Sequence, residues 1–297
     1  MLSLTMRFSA PSSPTLRLRD RAFVWGQRTY LMAILNVTPD SFSDGGEFNS
    51  LETAVAQAHR LAQAGADLLD IGGQSTRPGA VTVSEAEELA RVVPVITALR
   101  SGYSDYSPLA IPISVDTTRA SVARAAIAAG ADVINDISAA TFDEAMLTTV
   151  AELQVPIVLM HIRGTPQTMQ QLTDYQDLMG EIKTFLETRI TAAQTVGIPA
   201  EHIILDPGIG FAKTVDQNLQ ILRQLPYLRS LGYPLLVGPS RKSFIGHLLN
   251  QPDPKARIWG TAAACCAAIA GGADIVRIHD CQEMQAVCRV ADALWRT

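Results

Sequence analysis

The residues that could do chemistry recur in one setting: each follows a short apolar run. They are Asn36; Asp70; Ser114 and Asp116; Asn135 and Asp136; His161 after Met160; Asp206; Ser240 through Ser243; and Arg277, His279 and Asp280. A polar residue at the end of a strand is ordinary, and Asp or Asn there is more often a turn or helix cap than a ligand. Eight such ends in one chain are less ordinary, because buried ionisable groups are costly unless paired or used. The set has two chemical halves. Asp116, Asn135 and Asp206 offer acceptors and one amide, which suits a flat, donor-rich heterocycle whose adjacent N–H and NH2 face a carboxylate. Arg77, Lys242, Arg277 and His279 offer cationic donors, and a helix start at Ser243 adds backbone N–H groups, which suits a phosphate or carboxylate. Strand alternation points Arg277 and His279 the same way. Such a site holds a polyamine ring and at least one anion.

The elements that position these residues are legible from pattern. Leu31 to Gly46 begins as a buried strand ending at Asn36, then breaks at Pro39 into turn formers around one aromatic, Phe42. About a dozen residues pass before the next helical pattern, where such loops usually take about 2–6; the stretch reads as a mobile cover or a solvated loop. Asp70 through Gly79 is a second long loop. Gly65-Ala66-Asp67, Gly130-Ala131-Asp132 and Gly272-Ala273-Asp274 each follow an Ala-rich helical stretch and precede an apolar strand. Glycine there suits the left-handed residue that ends a helix.

Strands are predicted near 30–36, 67–71, 111–116, 131–135, 155–161, 202–206, 234–239 and 274–279. Helices are predicted near 50–64, 84–100 (opening on a capping box at Ser84), 118–129, 143–153, 172–196, 216–224, 242–271 (broken near Pro252 and Pro254) and 281–295. Strict alternation means a parallel sheet, and eight units match an α/β fold of the (β/α)8 TIM-barrel kind. An open doubly wound sheet would more often show a Gly-rich nucleotide turn after its first strand. Phe23-Val24-Trp25-Gly26 suggests a short N-terminal hairpin plugging the barrel bottom. One domain is expected, residues 16–297, after a flexible N-terminus of residues 1–15.

Composition narrows the function classes. With 297 residues, 47% hydrophobic, there is material for one large core. A net charge of -5 without a basic stripe argues against nucleic acid. The run from Gly260 to Ala273 is too short and too rich in Ala and Gly to span a bilayer, and residues 1–15 lack a signal-peptide core. Cys265, Cys266, Cys281 and Cys288 have no zinc spacing and read as reduced cytosolic thiols. Gly208 to Thr214 has the wrong glycine spacing for a P-loop, and the five histidines form no metal motif. Magnesium is expected only with a diphosphate substrate, with Asn36 adding an oxygen.

These residues, in this order, resemble a known family. Asn36-Val37-Thr38-Pro39-Asp40-Ser41-Phe42-Ser43-Asp44-Gly45-Gly46 is similar to the first signature of the dihydropteroate synthases, and Gly72 through Gly79 to the second. Ser114-Val115-Asp116, Ile134-Asn135-Asp136, Met160-His161 with Gly164-Thr165-Pro166, Asp206 through Phe211, Ser240 through Ser243, and Arg277 through Asp280 match further blocks. The resemblance covers residues 16–295. It implies a TIM-barrel transferase of folate biosynthesis, a cytoplasmic homodimer and sulfonamide target. Such an enzyme joins 7,8-dihydropterin-6-ylmethyl diphosphate to 4-aminobenzoate, giving 7,8-dihydropteroate and diphosphate. Carried over by motif, Asp116, Asn135, Asp206 and Lys242 hold the pterin and Met160 lines it. Arg277 stacks on the ring and, with His279 and Arg77, meets the diphosphate; Asn36 touches magnesium beside it. Phe42, Thr76, Arg77, Pro78, Phe211 and Ser243 shape the aminobenzoate site. Asp116, Lys242 and Arg277 are the expected catalytic residues. One departure is Gln74, where the family often has glutamate; it bears on how the second loop docks. With no strong nucleophile placed, a dissociative substitution is expected, both long loops closing over the second substrate. Two alternatives are a corrinoid-linked methyltransferase, which lacks the diphosphate set, and a non-enzymatic pterin-binding protein.

Overall fold

The computed structural model describes residues 14–38, 47–76 and 79–296. A hairpin of β1 (Leu16–Leu18) and β2 (Arg21–Phe23) precedes eight strands: β3 (Tyr30–Asn36), β4 (Leu68–Gly72), β5 (Ile113–Asp116), β6 (Val133–Asp136), β7 (Ile157–Met160), β8 (Ile203–Asp206), β9 (Leu236–Val237) and β10 (Ile275–Ile278). Around them run α1 (Glu47–Gln63), α2 (Glu85–Ser101), α3 (Ala120–Ala128), α4 (Met146–Leu153), α5 (Leu178–Thr195), α6 (Val215–Arg223), α7 (Leu225–Arg229), α8 (Ser243–Leu248), α9 (Ile258–Ala270) and α10 (Cys281–Trp295). The eight strands pair in parallel in the order β8-β7-β6-β5-β4-β3-β10-β9. A bridge from Leu205 to Leu235, with the Leu205 N–H donating to Pro234 O at 3.0 Å, joins β8 to β9 and closes the ring. The fold is the TIM barrel read from the sequence, not the open sheet.

Alternation sorts each strand into two faces. Leu31, Ala33, Leu35, Leu69, Ile71, Ile113, Val115, Ile134, Leu159, Leu205, Val276 and Ile278 pack outward against the helices. Tyr30, Met32, Leu68, Val133, Val158, Ile204, Leu236 and Ile275 point inward and fill the lower barrel together with Leu16, Leu18, Phe23 and Trp25 of the hairpin region. The hairpin therefore plugs the bottom. The next inward layer is polar, which leaves the chemistry to the top.

The recurrent Gly-Ala-Asp triplet proves to be a fastening device. Gly65, Gly130 and Gly272 end their helices at φ of 94°, 112° and 92°. The aspartate that follows then bonds twice to the neighbouring strand. The Asp67 N–H donates to Leu31 O and its carboxylate accepts the Leu31 N–H. Asp132 does the same with Ile113, and Asp274 with Leu235. Arginines neutralise each carboxylate: Arg28 at Asp67, Arg100 and Arg19 at Asp132, Arg229 at Asp274.

Boundaries shift where side chains compete for caps. Helix α5 begins at Leu178, later than the expected 172, because Asp177 accepts the Gly180 N–H at 3.1 Å. Helix α4 begins at Met146, because Asp143 is spent on the Ala120 and Ala145 N–H groups. Ser84 caps α2, yet Glu87 pairs with Arg91 one turn on; both halves of a capping box occur instead at Thr214 and Gln217. The long apolar stretch divides near its prolines into α8, a 3-10 turn at Pro254–Arg257, and α9.

Candidate active site

At the top of the barrel the inward positions are Asn36, Gly72, Asp116, Asn135, Met160, Asp206 and Arg277, each the last or next-to-last residue of its strand. Gly72 lies between Asn36 and Asp116: a Cβ on it would stand 3.7 Å from Asn36 Oδ1 and 3.5 Å from Asp116 Cβ, in ordinary contact with both. Arg277 lies side-on across two carboxylates. Its Nε donates to Asp70 Oδ2 at 2.6 Å and its Nη2 to Asp116 Oδ2 at 2.7 Å. Asn135 Nδ2 donates to the same Asp70 oxygen at 3.0 Å. Asp70 is wholly buried. From the sequence it is one of the polar strand ends but has no assigned role, though alternation from inward Leu68 puts it on the same face as Asp116.

Charge is balanced here under heavy desolvation. Burial pushes the Asp116 carboxyl up to about 7 against the pull of Arg277, and the nearby Asp70, Glu88 and Asp136 push the same way. Burial also raises Asp206 to about 6, opposed by the Gly208 N–H, Lys242, Lys213 and Arg277. Burial works against the Arg277 charge, but Asp70 and Asp116 outweigh it and hold its pKa above the ordinary value.

Lys242 is the N-cap of α8, and its Nζ sits 4.0 Å from the centre of the Phe211 ring, a cation–π contact. Ser243 is the first residue of that helix and is exposed at the mouth. Phe211 packs with Met160, Ile137, Ile162, Met169 and Ala212, an apolar wall beside the polar floor. His279 Nδ1 lies 3.0 Å from Ser240 Oγ, which also accepts the His279 N–H at 3.1 Å.

Three of the polar strand ends turn away from the mouth. Asp136 accepts from Ser138 and Ala140, pinning the loop after β6. Asp280 pairs with Arg241. His161 is buried behind β7, edge-on to Phe185, with its Nδ1 3.0 Å from Lys213 Nζ. Lys213 also donates to Phe211 O at 2.8 Å. The segment dismissed as a P-loop thus carries a buried lysine that ties the Phe211 backbone to the end of β7. Burial first, then neighbouring cations, depress both groups: Lys213 to about 7 and His161 to about 2.

Phe42, Arg77 and Pro78 lie outside the described residues, as do most of the expected cover and residues 1–13. Thr76 is half-buried and lines a cavity of about 120 Å3 with Gln74, Asp116, Thr117 and Phe142. The return limb of this loop is tied down. Gln74 Oε1 accepts the Val83 N–H at 3.2 Å, Arg119 Nη2 donates to Val83 O at 2.7 Å, and Gln167 Nε2 donates to Ala80 O at 2.8 Å. The amide at position 74 keeps the acceptor a carboxylate would offer. Among the described residues no three His, Cys, Asp or Glu side chains gather as a metal site.

A model of pterin binding enzymes matches residues 32–279. A dihydropteroate synthase of Synechocystis is 62% identical over 95% of this chain and 96% of its own length. One of Bacillus subtilis is 45% identical over 94% and 93%. Among solved structures, the dihydropteroate synthase of Xanthomonas albilineans with 4-aminobenzoic acid superposes with a TM-score of 0.86 at 44% identity, covering 95% of this chain and 98% of that one. By fold, by the order of its strand-end residues and by these similarities, the chain belongs to the pterin binding enzymes, among the dihydropteroate synthases.

Proposed function

We propose that the chain condenses 7,8-dihydropterin-6-ylmethyl diphosphate with 4-aminobenzoate to 7,8-dihydropteroate and diphosphate in folate biosynthesis. The convergence of Asp116, Asn135, Asp206, Lys242 and Arg277 on one barrel mouth carries this reading, because it joins ring acceptors to anion donors. The relatives support it: Xanthomonas albilineans structures hold 4-aminobenzoic acid and 7,8-dihydropteroate, and that of Yersinia pestis a sulfonamide drug.

In this reading Asp206, Asn135 and Asp116 face the donor edge of the pterin, and Met160 walls it. Arg277, its Nε–Nη2 edge held by Asp70 and Asp116, turns its remaining donors toward ring and diphosphate with His279. The methylene C–O bond breaks first, the electron pair leaving with diphosphate, and the electron-rich ring with the Asp116 carboxylate stabilises the cation. The aminobenzoate amine then attacks and loses a proton. Phe211 and Thr76 would flank its ring, Ser243 at the start of α8 would meet its carboxylate, and the family resemblance assigns Phe42, Arg77 and Pro78 to the same substrate. A hard-oxygen donor such as Asn36 suits magnesium arriving with the substrate, where bound metal would offset diphosphate charge. The unpaired cysteines support a reducing, cytoplasmic location, and the uncharged helix α9 supports a homodimer.

The test is a two-substrate assay with wild type and Lys242→Ala. Wild-type turnover reduced at least a hundredfold in the variant supports both activity and site; an active variant removes Lys242 from it. Labelled diphosphate should enter the pterin substrate without aminobenzoate, and no such exchange would overturn the released cation.

A further inference from the structure

We propose that Asp70 is a positioning residue for pterin recognition: it fixes the side chains of Asn135 and Arg277 from below. The proposal rests on the reading above that those two residues hold the pterin. Asp70 faces into the barrel one layer beneath Asn36, Asp116 and Asn135, and is wholly buried. One oxygen, Oδ2, accepts from both Arg277 Nε at 2.6 Å and Asn135 Nδ2 at 3.0 Å.

Two consequences follow for ligand chemistry. A carboxylate accepts and does not donate, so the Asn135 amide is oriented with its nitrogen on Asp70. Its Oδ1 is then the acceptor for a ligand N–H, matching a ring rich in N–H groups and rejecting an acceptor there. Arg277, in turn, is held by one edge across Asp70 and Asp116, 2.7 Å from Asp116 Oδ2. A guanidinium fixed by one edge offers its opposite donors in a set direction.

The experiment is a thermodynamic cycle with full-length protein: wild type, Asp70→Asn, Asn135→Asp and the exchange Asp70→Asn/Asn135→Asp. The probe is 6-hydroxymethylpterin, its affinity measured by calorimetry; KM for 4-aminobenzoate is measured at saturating pterin diphosphate. Asp70→Asn is expected to weaken the pterin by 10- to 100-fold on the scale of one lost charged contact, with KM for aminobenzoate held within twofold. Asn135→Asp alone sets two carboxylates together and is expected to do worse. The exchange restores a donor at 70 and an acceptor at 135, and is expected to recover at least tenfold of the Asn135→Asp loss. Asp70→Asn with wild-type pterin affinity, or an exchange no better than Asn135→Asp, overturns the positioning role. Should Asp70→Asn fail to fold, the exchange against Asn135→Asp decides by the same criterion. A folded wild type that binds no pterin overturns the functional reading and this proposal with it.

Discussion

At the scale of the residue, two neighbouring glycines separate catalysis from stability. Gly208 and Gly210 both have positive φ, 72° and 82°. A Cβ on Gly210 would come within 2.8 Å of Lys242 Cδ, the stem of a long side chain that can move. A Cβ on Gly208 would come within 2.0 Å of His161 O, which is backbone. Gly210→Ala is therefore expected to cost about 1 kcal/mol of strain but lower kcat/KM for the pterin diphosphate by tenfold or more, since Lys242 is displaced. Gly208→Ala is expected to cost more than about 2 kcal/mol, read by urea unfolding. Equal kinetic losses in the two variants would sink the distinction. His161 makes a pH prediction. Its folded pKa is depressed to about 2, so the unfolded chain takes up its proton first as pH falls. Its stabilising share, full above about 6.5, is lost as pH falls through that value toward 2, at no more than about 1.4 kcal/mol per pH unit. Asp116 and Asp206 are raised and act in the opposite sense, but they are common to wild type and His161→Gln. The stability difference between the two proteins should therefore move in favour of the variant between pH 7 and pH 4; a constant difference would refute the assignment.

At the scale of the element, the aspartates that follow the helix-ending glycines hold strand to strand at the end opposite the site. Arg100 shows how much converges on one of them. It reaches Gly130 O at 2.8 Å, Leu109 O at 2.6 Å, Ile111 O at 2.9 Å and Asp132 at 2.6 Å. Removing the carboxylate takes the counter-charge from this guanidinium, leaving it three carbonyls, and the acceptor from the Ile113 N–H. Asp132→Ala should cost about 3–5 kcal/mol in urea unfolding, while KM for both substrates stays within twofold at a temperature where the variant is folded. Cap loss is smaller: Thr214→Ala should cost about 1 kcal/mol. The alternation of loops and caps made these elements legible. The start of α2 at Ser84 was legible too, but those of α4 and α5 were not: Asp143 is drawn to the Ala120 N–H, a tertiary partner, and Asp177, rather than an earlier residue, supplies the local cap of α5.

At the scale of the whole molecule, the outer surface carries one feature that the barrel itself does not need. Helix α9 has no charged residue, and Trp259 is 77% exposed on it, with Ala263 and Ala267 one and two turns on. Val290 and Leu294 of the neighbouring α10 are also exposed. Such a face suits a second copy of the chain. Trp259→Glu is expected to shift sedimentation toward the monomer at micromolar concentration; wild type sedimenting as a monomer would exclude a homodimer through this face.

Sequence alone determined the barrel and most of its mouth. Period-2 alternation within strictly alternating strands and helices leaves a parallel ring few other solutions, and strand ends carrying Asn36, Asp116, Asn135, Asp206 and Arg277 must then converge. Tertiary structure decided what each polar neighbour touches. Asp136, His161 and Asp280 turn behind the strands, while Asp70 and Lys213 prove to sit beneath and beside the site. The physical reason is that alternation sets a side chain's face, but its partner is set by the register of strands far away in sequence. Asp70 meets Arg277 across 207 residues, a pairing that exists only once the barrel has closed.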